Sequence, residues 1–423
     1  MRILYFSSRE CWPLNTGARL RDYHFARQLA QRAEVSYYGM RNRNDPPSEA
    51  IPAEAGLHEQ LIVEKGASFS PTKLVRGLFG PAPVTLLNCE NRRAKSALET
   101  LLKKTHFDSV QIEGVHLTRY VPAIRELSPH SAIVCDWHNI ESEIMRRYGQ
   151  TASGWPRKLY AYRTAGLIEN MELRLLQSCD VHTVASQREL ERLRQREPKA
   201  VLAAVGNGVD VETYSSAEIE AAWNRLDTAN RPAERSVLFV GSMDYHANID
   251  GCLEFARYVW PRVKAAEERK NPGRGGEFVI AGRNPAPEIK ALGAKPGIRV
   301  TGTVSDIRPY YRGALALVVP LRIGSGTRLK ILEAMAVGVP VVSTRLGAEG
   351  LAVKHRENIL LAETTDEFLK AIQDLDERNP LRETVVEGGR RLVVDDYDWP
   401  LLGEKLFQVH VAAVRRRREA TKT

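Results

Sequence analysis

The 423-residue sequence contains no apolar run long enough to cross a membrane. The longest, such as ALALVVPL at 314–321, is less than half of the roughly 20 residues a spanning helix needs. Cysteine is scarce and unpatterned: Cys11, Cys89, Cys135, Cys179 and Cys252 are odd in number and include no CxxC pair. This excludes a disulfide framework and a cysteine-based zinc site, and fits a reducing cytosol. Neither a low-complexity tract nor a short-period repeat is present. The opening MRILYFSSRECWP turns polar after six residues, too early for a secretory signal, so a cytoplasmic protein is expected. A separate basic tail domain is missing too, since the net charge of +9 is spread along the chain. That surplus permits anionic partners without choosing among nucleotides, phospholipid and nucleic acid. Without a recognised module or an aromatic–basic stripe, nucleic acid is not an expected partner.

What is present is a regular alternation of short apolar strands and helical stretches. Strands are expected at 2–6, 35–38, 109–112, 132–135 and 181–184, with helices at 18–32, 91–104 and 157–177 among them. The rhythm breaks at VGNGVDVETYSSAE and restarts with strands at 237–240, 278–281, 298–300, 315–319 and 339–343. Such alternation implies parallel, doubly wound sheets, and the length implies two domains. EERKNPGRGGEF, from 267, is expected as a solvated loop. In the last helix Leu402, Leu406, Val409 and Ala413 recur at spacings of three and four, giving it a face to bury.

The stretch PLRIGSGTRLKILEAMAVGVPVVST, 320–344, carries the chemistry. Gly324, Ser325, Gly326 and Thr327 lie between a strand and a helix expected to start at about Thr327 or Arg328. That junction exposes backbone N–H groups and the positive end of a helix dipole, a site for phosphate. Arg328 adds a planar donor fork and Lys330 a mobile charge. Glu333, on the same helix face, suits sugar hydroxyls, while Ile331, Leu332 and Met335 point to the core. The structural alternative is a glycine turn with a Lys330–Glu333 surface pair. The spacing is not that of a P-loop.

GTRLKILEAMAVGVPVVSTRLGAEGL closely resembles the signature helix of the family-4 glycosyltransferases, retaining enzymes of GT-B fold. NGVD (207–210) resembles their interdomain junction. VLFVGSM (237–243) is similar to the first strand of their nucleotide domain, and VTGTVSDIRPYYRGALALVVPL to its penultimate strand pair. PLNTGARLRDYHFARQLAQR resembles their first loop and helix. The resemblance implies an α/β, GT-B architecture: two Rossmann-like domains with a cleft between them, and a C-terminal helix crossing back. The expected division is 1–212, acceptor side; 213–395, nucleotide-sugar side; and 396–423, the returning helix. The implied activity is transfer of a hexose-type sugar from a nucleotide diphosphate sugar to a saccharide or lipid-linked acceptor. Retention of anomeric configuration, a place in polysaccharide biosynthesis, and no cofactor or essential metal are also implied.

Carried over position by position, the second of the family's bracketing glutamates is Glu333, for the ribose; the first falls on Ser325. The family's Arg after the first strand's glycine (here Gly241) falls on Ser242, and its Lys five residues later on Ala247. Both charges are missing. Arg328 and Lys330, with Arg283 of AGRNP as a further candidate, are expected to replace them on the leaving diphosphate. Gly17 sits where the family's glycine-rich loop approaches that diphosphate. His138, in CDWHNIESE after a strand end, matches a His that touches the donor sugar. Glu113, His116, Asp136, His246 and Asn248 are further candidates for the sugar or acceptor cleft. The GSMDYHANID variant resembles a subgroup linked to exopolysaccharide sugar transferases. Asp136 or His138 acting as a base would instead suit an inverting enzyme.

The DLD at 374–376 and DYD at 396–398 imitate metal-binding DxD motifs but lie in a helical region, and are expected as surface or capping acids. RRRR at 415–418 is expected as a solvated helix end, with attraction to anionic lipid, and so a peripheral place on the cytoplasmic membrane face, as the alternative. SPTKLVRGLFGPAP, 70–83, reads equally as a packed or lid segment and as a dock for a lipid-linked acceptor. Two other functions share the fold: a nucleotide-sugar 2-epimerase and a degenerate nucleotide-sugar-binding protein.

Overall fold

A computed structural model describes residues 1–42, 49–65, 70–270, 276–324, 328–375 and 379–421. The chain forms two compact units, Met1–Asn207 with Trp399–Thr423, and Gly208–Asp398. These divisions replace the expected ones at 212 and 395, because Val209 still pairs with Tyr397 and Asp398 inside the second unit.

Unit 1 holds seven parallel strands in the order β3-β2-β1-β4-β5-β6-β7. They are β1 Arg2–Phe6, β2 Glu34–Asn42, β3 Glu59–Lys65, β4 Ser109–Glu113, β5 Ala132–Trp137, β6 Val181–Val184 and β7 Leu202–Ala204. Unit 2 holds six, in the order β10-β9-β8-β11-β12-β13. These are β8 Val237–Val240, β9 Phe278–Ala281, β10 Ile298–Gly302, β11 Ala316–Val319, β12 Val341–Ser343 and β13 Leu360–Leu361. The central strands VLFV and ALVV are buried throughout, as parallel strands covered on both faces must be. In each sheet the strand order reverses once, between β1 and β4 and between β8 and β11. Beyond the carboxyl ends of such strands a doubly wound sheet opens a crevice for ligands.

Alternate residues of β1 divide the core of unit 1. Leu4 and Phe6 pack on one side; Ile3 and Tyr5 pack on the other, with Trp399, Leu402 and Leu406 of the returning helix Trp399–Ala420. Ala413 of the same helix is also fully buried, while Val409 is only partly so. Trp399 stacks on His24 at 4.7 Å and meets Phe25 edge-on at 5.2 Å. Part of the basic run at its end meets the rest of the unit: Arg417 donates to the Pro129 carbonyl and Arg418 to Asp108, while Arg415 donates to Glu419 of the same helix. The expected loop from 267 begins inside the helix Trp260–Lys270, where Glu267 is buried. Its charges disguise the last helical turns. Residues 271–275 lie outside the described residues.

Gly403 allows the returning helix to lie against the first helix, Gly17–Ala30: a Cβ there would overlap the Gln28 Cβ. Gly403→Ala is expected to destabilise the protein by about 1–3 kcal/mol, the usual cost of overpacking. A urea-unfolding midpoint lowered at unchanged slope checks this.

Candidate functional site

In unit 2 the carboxyl ends of β8, β9 and β11 bring together residues far apart in sequence. Gly241 follows β8, Arg283 follows β9, and Gly324 follows β11 before the helix Leu329–Val337. The helix starts a residue or two later than expected, because Arg328 has non-helical backbone angles (φ −92°, ψ 79°) and caps it instead. Ser325, Gly326 and Thr327 lie outside the described residues. Gly324 has φ +114°, a conformation side-chain-bearing residues rarely adopt, and a Cβ on it would stand 3.1 Å from the Ala247 Cβ and 3.2 Å from Arg328 Nη2. Arg328 is therefore beside the position left uncharged at Ala247. The other uncharged position, Ser242, receives Arg283: its Nε donates to Ser242 Oγ at 3.1 Å.

Lys330 is not the mobile surface charge expected. Its Nζ donates to Asn248 Oδ1 at 3.1 Å and lies 4.3 Å from the centre of the Phe239 ring. A Cβ on Gly241 would come within 2.9 Å of that Nζ, so glycine leaves the ammonium its room. Burial, assisted by Arg328, lowers the Lys330 pKa to about 7, against the pull of Cys252 and Glu333. Asn248 is buried and donates through Nδ2 to the Ser242 carbonyl at 2.8 Å, locking the turn that follows β8. It is a support for Lys330 and that turn. His246, at the start of the helix His246–Glu254, is exposed. Glu333 accepts from Tyr311 Oη at 2.9 Å and is also bonded by Tyr214; burial pushes its pKa up against those bonds. Lys330 and Glu333 thus go to different partners within the unit, which removes the surface-pair reading. Sequence reasoning misses Phe239, Tyr214 and Tyr311, whose apolar rings read simply as core.

In unit 1 a second cluster occupies the corresponding crevice. His138 Nε2 lies 2.8 Å from Glu113 Oε2, 3.2 Å from Asp22 Oδ1 and 3.5 Å from Arg9 Nη1. Burial is the largest single influence on His138 and opposes its charge, as does Arg9. The hydrogen bonds to Asp22 and Glu113 outweigh both and raise its pKa to about 9. Burial with Asp136 and Asp22 raises Glu113 to about 7, His138 pulling the other way. Glu113 is fully buried, so it is a support of His138 and not an open cleft residue. Behind it runs a polar chain: His410 Nε2 to Gln111 Oε1 at 2.8 Å, and Gln111 Nε2 to Glu113 Oε1 at 2.6 Å. Burial lowers the His410 pKa to about 3. The neutral ring donates through Nε2 to Gln111 and accepts from Ser109 through Nδ1, so every donor points toward Glu113.

Asp136 also departs from expectation. Both its oxygens are taken by Arg21, at 2.6 and 2.7 Å, and Thr183 donates to one of them. Burial opposes its charge, but Arg21 outweighs burial and keeps the carboxyl below its ordinary range. His116 is partly exposed, and burial with Arg9, Lys65 and His138 lowers its pKa to about 4. Gly17 is the exposed first residue of its helix, in unit 1. Sequence reasoning misses Arg9, Arg21 and Asp22; the one available signal is charge on the inward face of an otherwise ordinary first helix.

Ligand atoms of Asp22, Glu113 and His138 lie within 4.8 Å of one another, near enough to share a metal. Arg9 already brings positive charge there, 3.9 Å from Asp22, and His138 holds its proton, so the set fits an ion-paired imidazolium better. The DxD look-alikes are engaged elsewhere: Asp374 meets Lys370 at 3.3 Å, and Asp398 accepts from the Val211 amide. Asp376 lies outside the described residues.

Residues 234–377 match the family pattern described as "Glycosyl transferases group 1". Among curated relatives, the chain is 27% identical over 181 residues to an uncharacterized 44.6 kDa protein in the cps region of Klebsiella pneumoniae, covering 41% of this chain and 45% of that one. It is 27% identical over 212 residues to phosphatidyl-myo-inositol mannosyltransferase of Mycobacterium leprae, covering 49% and 52%. These matches span about half the length of the relatives. Two solved structures share the fold nearly end to end. Sucrose-phosphate synthase from Thermosynechococcus elongatus is 18% identical, with TM-score 0.66 over 97% of this chain and 99% of that one. Anabaena HepE in complex with UDP is 14% identical, with TM-score 0.62 over 97% and 100%. The fold is therefore the GT-B arrangement of two Rossmann-like units. Among the described residues, no helix is long and apolar enough to cross a membrane.

Folded His138 keeps its proton to about pH 9, whereas an unfolded histidine loses it near pH ~6.5. The resulting stabilisation is complete below the lower value and is lost as pH rises through the upper one. Urea midpoints for the wild type and His138→Gln should accordingly converge between neutral pH and about pH 9.5.

Proposed function

We propose that the protein transfers a sugar from a nucleotide diphosphate sugar to a saccharide or lipid-linked acceptor, with retention of configuration. The observation that carries the donor site is the placement of Arg283 on Ser242 and of Arg328 beside Ala247, with Lys330 at Gly241. Cations that follow other strands thus adjoin the two positions at which the resemblance implies charge, which supports the reading. A nucleoside diphosphate bound there would meet two guanidinium forks and a desolvated ammonium, where charge–charge stabilisation is strong. Those cations supply the charge that other transferases obtain from a divalent ion. Glu333, oriented by Tyr311 and Tyr214, is the proposed partner of the ribose hydroxyls. The UDP named in the HepE structure makes a uridine donor the first to try.

Retention is supported by the state of the groups that could act as a base. Asp136 is consumed by Arg21, and His138 is held as an imidazolium. The proposed step therefore needs no protein base. The bond from the anomeric carbon to the phosphate oxygen breaks, the acceptor oxygen bonds to that carbon on the same face, and the acceptor proton passes to the departing phosphate oxygen. His138 is proposed to donate a hydrogen bond to a sugar hydroxyl, with Gly17 and His116 near the substrates. Exopolysaccharide assembly is the proposed setting.

Binding and slow hydrolysis across UDP-, GDP-, ADP- and dTDP-sugars test this. One donor class should bind, and Arg283→Ala and Arg328→Ala should each weaken it by about tenfold or more, the loss of a charge-assisted hydrogen bond. Mutants that bind as well as wild type would remove the donor site from this cluster. Binding without hydrolysis or transfer to any acceptor would favour a degenerate binding protein, and an isomerised sugar nucleotide would favour the epimerase.

Lys330 gives a separate readout. With a pKa of about 7 it is mostly neutral at pH 8, and a bound diphosphate favours its charged form. Donor binding at that pH should therefore take up close to one proton, measured by calorimetry in buffers of different ionisation enthalpy. Lys330→Met should abolish the uptake.

A further inference from the structure

The helix Pro71–Phe79 is amphipathic but faces the wrong way for a globular protein. Leu74, Val75, Leu78 and Phe79 share one side, and all four are exposed, Phe79 at 83%. The side turned inward carries Gly77, where a Cβ would overlap Val84. A surface helix ordinarily buries its apolar stripe. The long helix Trp155–Ser178 repeats the inversion in its first two turns: Trp155, Leu159 and Tyr162, at helical spacing, are 76%, 61% and 48% exposed.

The helices that carry the two exposed faces are joined. Arg163 on the long helix donates to the carbonyls of Gly77 and Gly80, at 3.0 and 2.7 Å, tying it to the end of the shorter helix. Gly149 of the preceding helix packs against Ala161 and Tyr162, which brings exposed Tyr148 to the edge. The segments that carry the patch contain charge of one sign. Neither 70–89 nor 144–168 contains an aspartate or glutamate, while Lys73, Arg76, Arg147, Arg157 and Lys158 are all present.

We infer that this face of unit 1 docks on a bilayer surface bearing anionic lipid headgroups. Exposed aromatic and aliphatic side chains enter the headgroup boundary, and the flanking Lys and Arg meet the lipid phosphates. Charge chooses this occupant over a second copy of the chain, since pairing two such faces would bring cations against cations. The basic run 415–418, the other candidate for lipid contact, has Arg417 and Arg418 bonded to its own unit.

Co-sedimentation with vesicles tests the inference without any sugar substrate. The wild type should sediment with phosphatidylcholine–phosphatidylglycerol vesicles and not with phosphatidylcholine alone, less so as salt is raised. Phe79→Ser with Trp155→Ser should lower the bound fraction about tenfold or more, and Lys73→Glu with Arg76→Glu by a similar factor. Both pairs should keep the wild-type circular dichroism and melting temperature, because these side chains are exposed or at the rim. Vesicles should shift the tryptophan emission to the blue, and Trp155→Phe should remove most of that shift. Absence of binding, equal binding to neutral vesicles, or folded variants that bind like wild type would overturn the inference. So would a dimer dissolved by the apolar pair in a protein that ignores vesicles, which would assign the face to self-association.

Discussion

Every donor direction of the Arg21 guanidinium ends on oxygen. Asp136 takes two, the Val205 and Gly206 carbonyls one each, and Asn207 Oδ1 a further one at 3.0 Å. The ring of Phe25 lies 4.5 Å from its carbon. Two charges taken so far from water are tolerable only when fully bonded, and removing one partner of such a pair typically costs about 3–5 kcal/mol. Three segments depend on this contact: the first helix, the carboxyl end of β5, and the strand end from which the chain leaves unit 1. His138 stands two residues beyond Asp136 and Asp22 one beyond Arg21. The pair therefore also fixes the imidazole and one of its carboxylates.

The two units solve a similar electrostatic problem differently. In unit 1 the charge is present at neutral pH, an imidazolium held between carboxylates and backed by the neutral chain from His410. In unit 2 it is conditional: Lys330 has been desolvated until its proton is barely held. A cation in that state costs the empty protein little and gains most when an anion arrives. Both sites occupy the crevice where strand order reverses, so the arrangement follows from winding as much as from side-chain choice.

Much of this architecture is legible in the order of the amino acids. Strands 237–240 and 278–281 can be placed to the residue, since uninterrupted apolar runs between turn residues admit little else. The strands that escape notice, β3, β7 and β13, are short or only half buried, and EQLIVEK shows too mixed a pattern to stand out. The phosphate-type junction around Gly324 is readable from composition alone. That Arg283 lies against Ser242 is not, because the two are brought together through the pairing of β8 with β9. Asp136 misleads for the same reason. A carboxylate after a strand looks catalytic until the helix crossing it proves to carry an arginine. Outward-facing Leu78 and Phe79 are ambiguous, since periodicity shows that a helix has an apolar side and not where that side points.

The return of the chain at Trp399 has a consequence for biogenesis. Unit 2 is an insertion: its residues, 208–398, are made before the helix that completes unit 1. A nascent chain can close the second sheet while the first still lacks the cover over Ile3 and Tyr5. The first helix packs there early, but the part of that surface that Trp399, Leu402 and Leu406 complete must wait for nearly two hundred residues of synthesis. The first half of this protein is thus the last to be finished, and in that interval it is exposed to chaperones, proteases and its own neighbours.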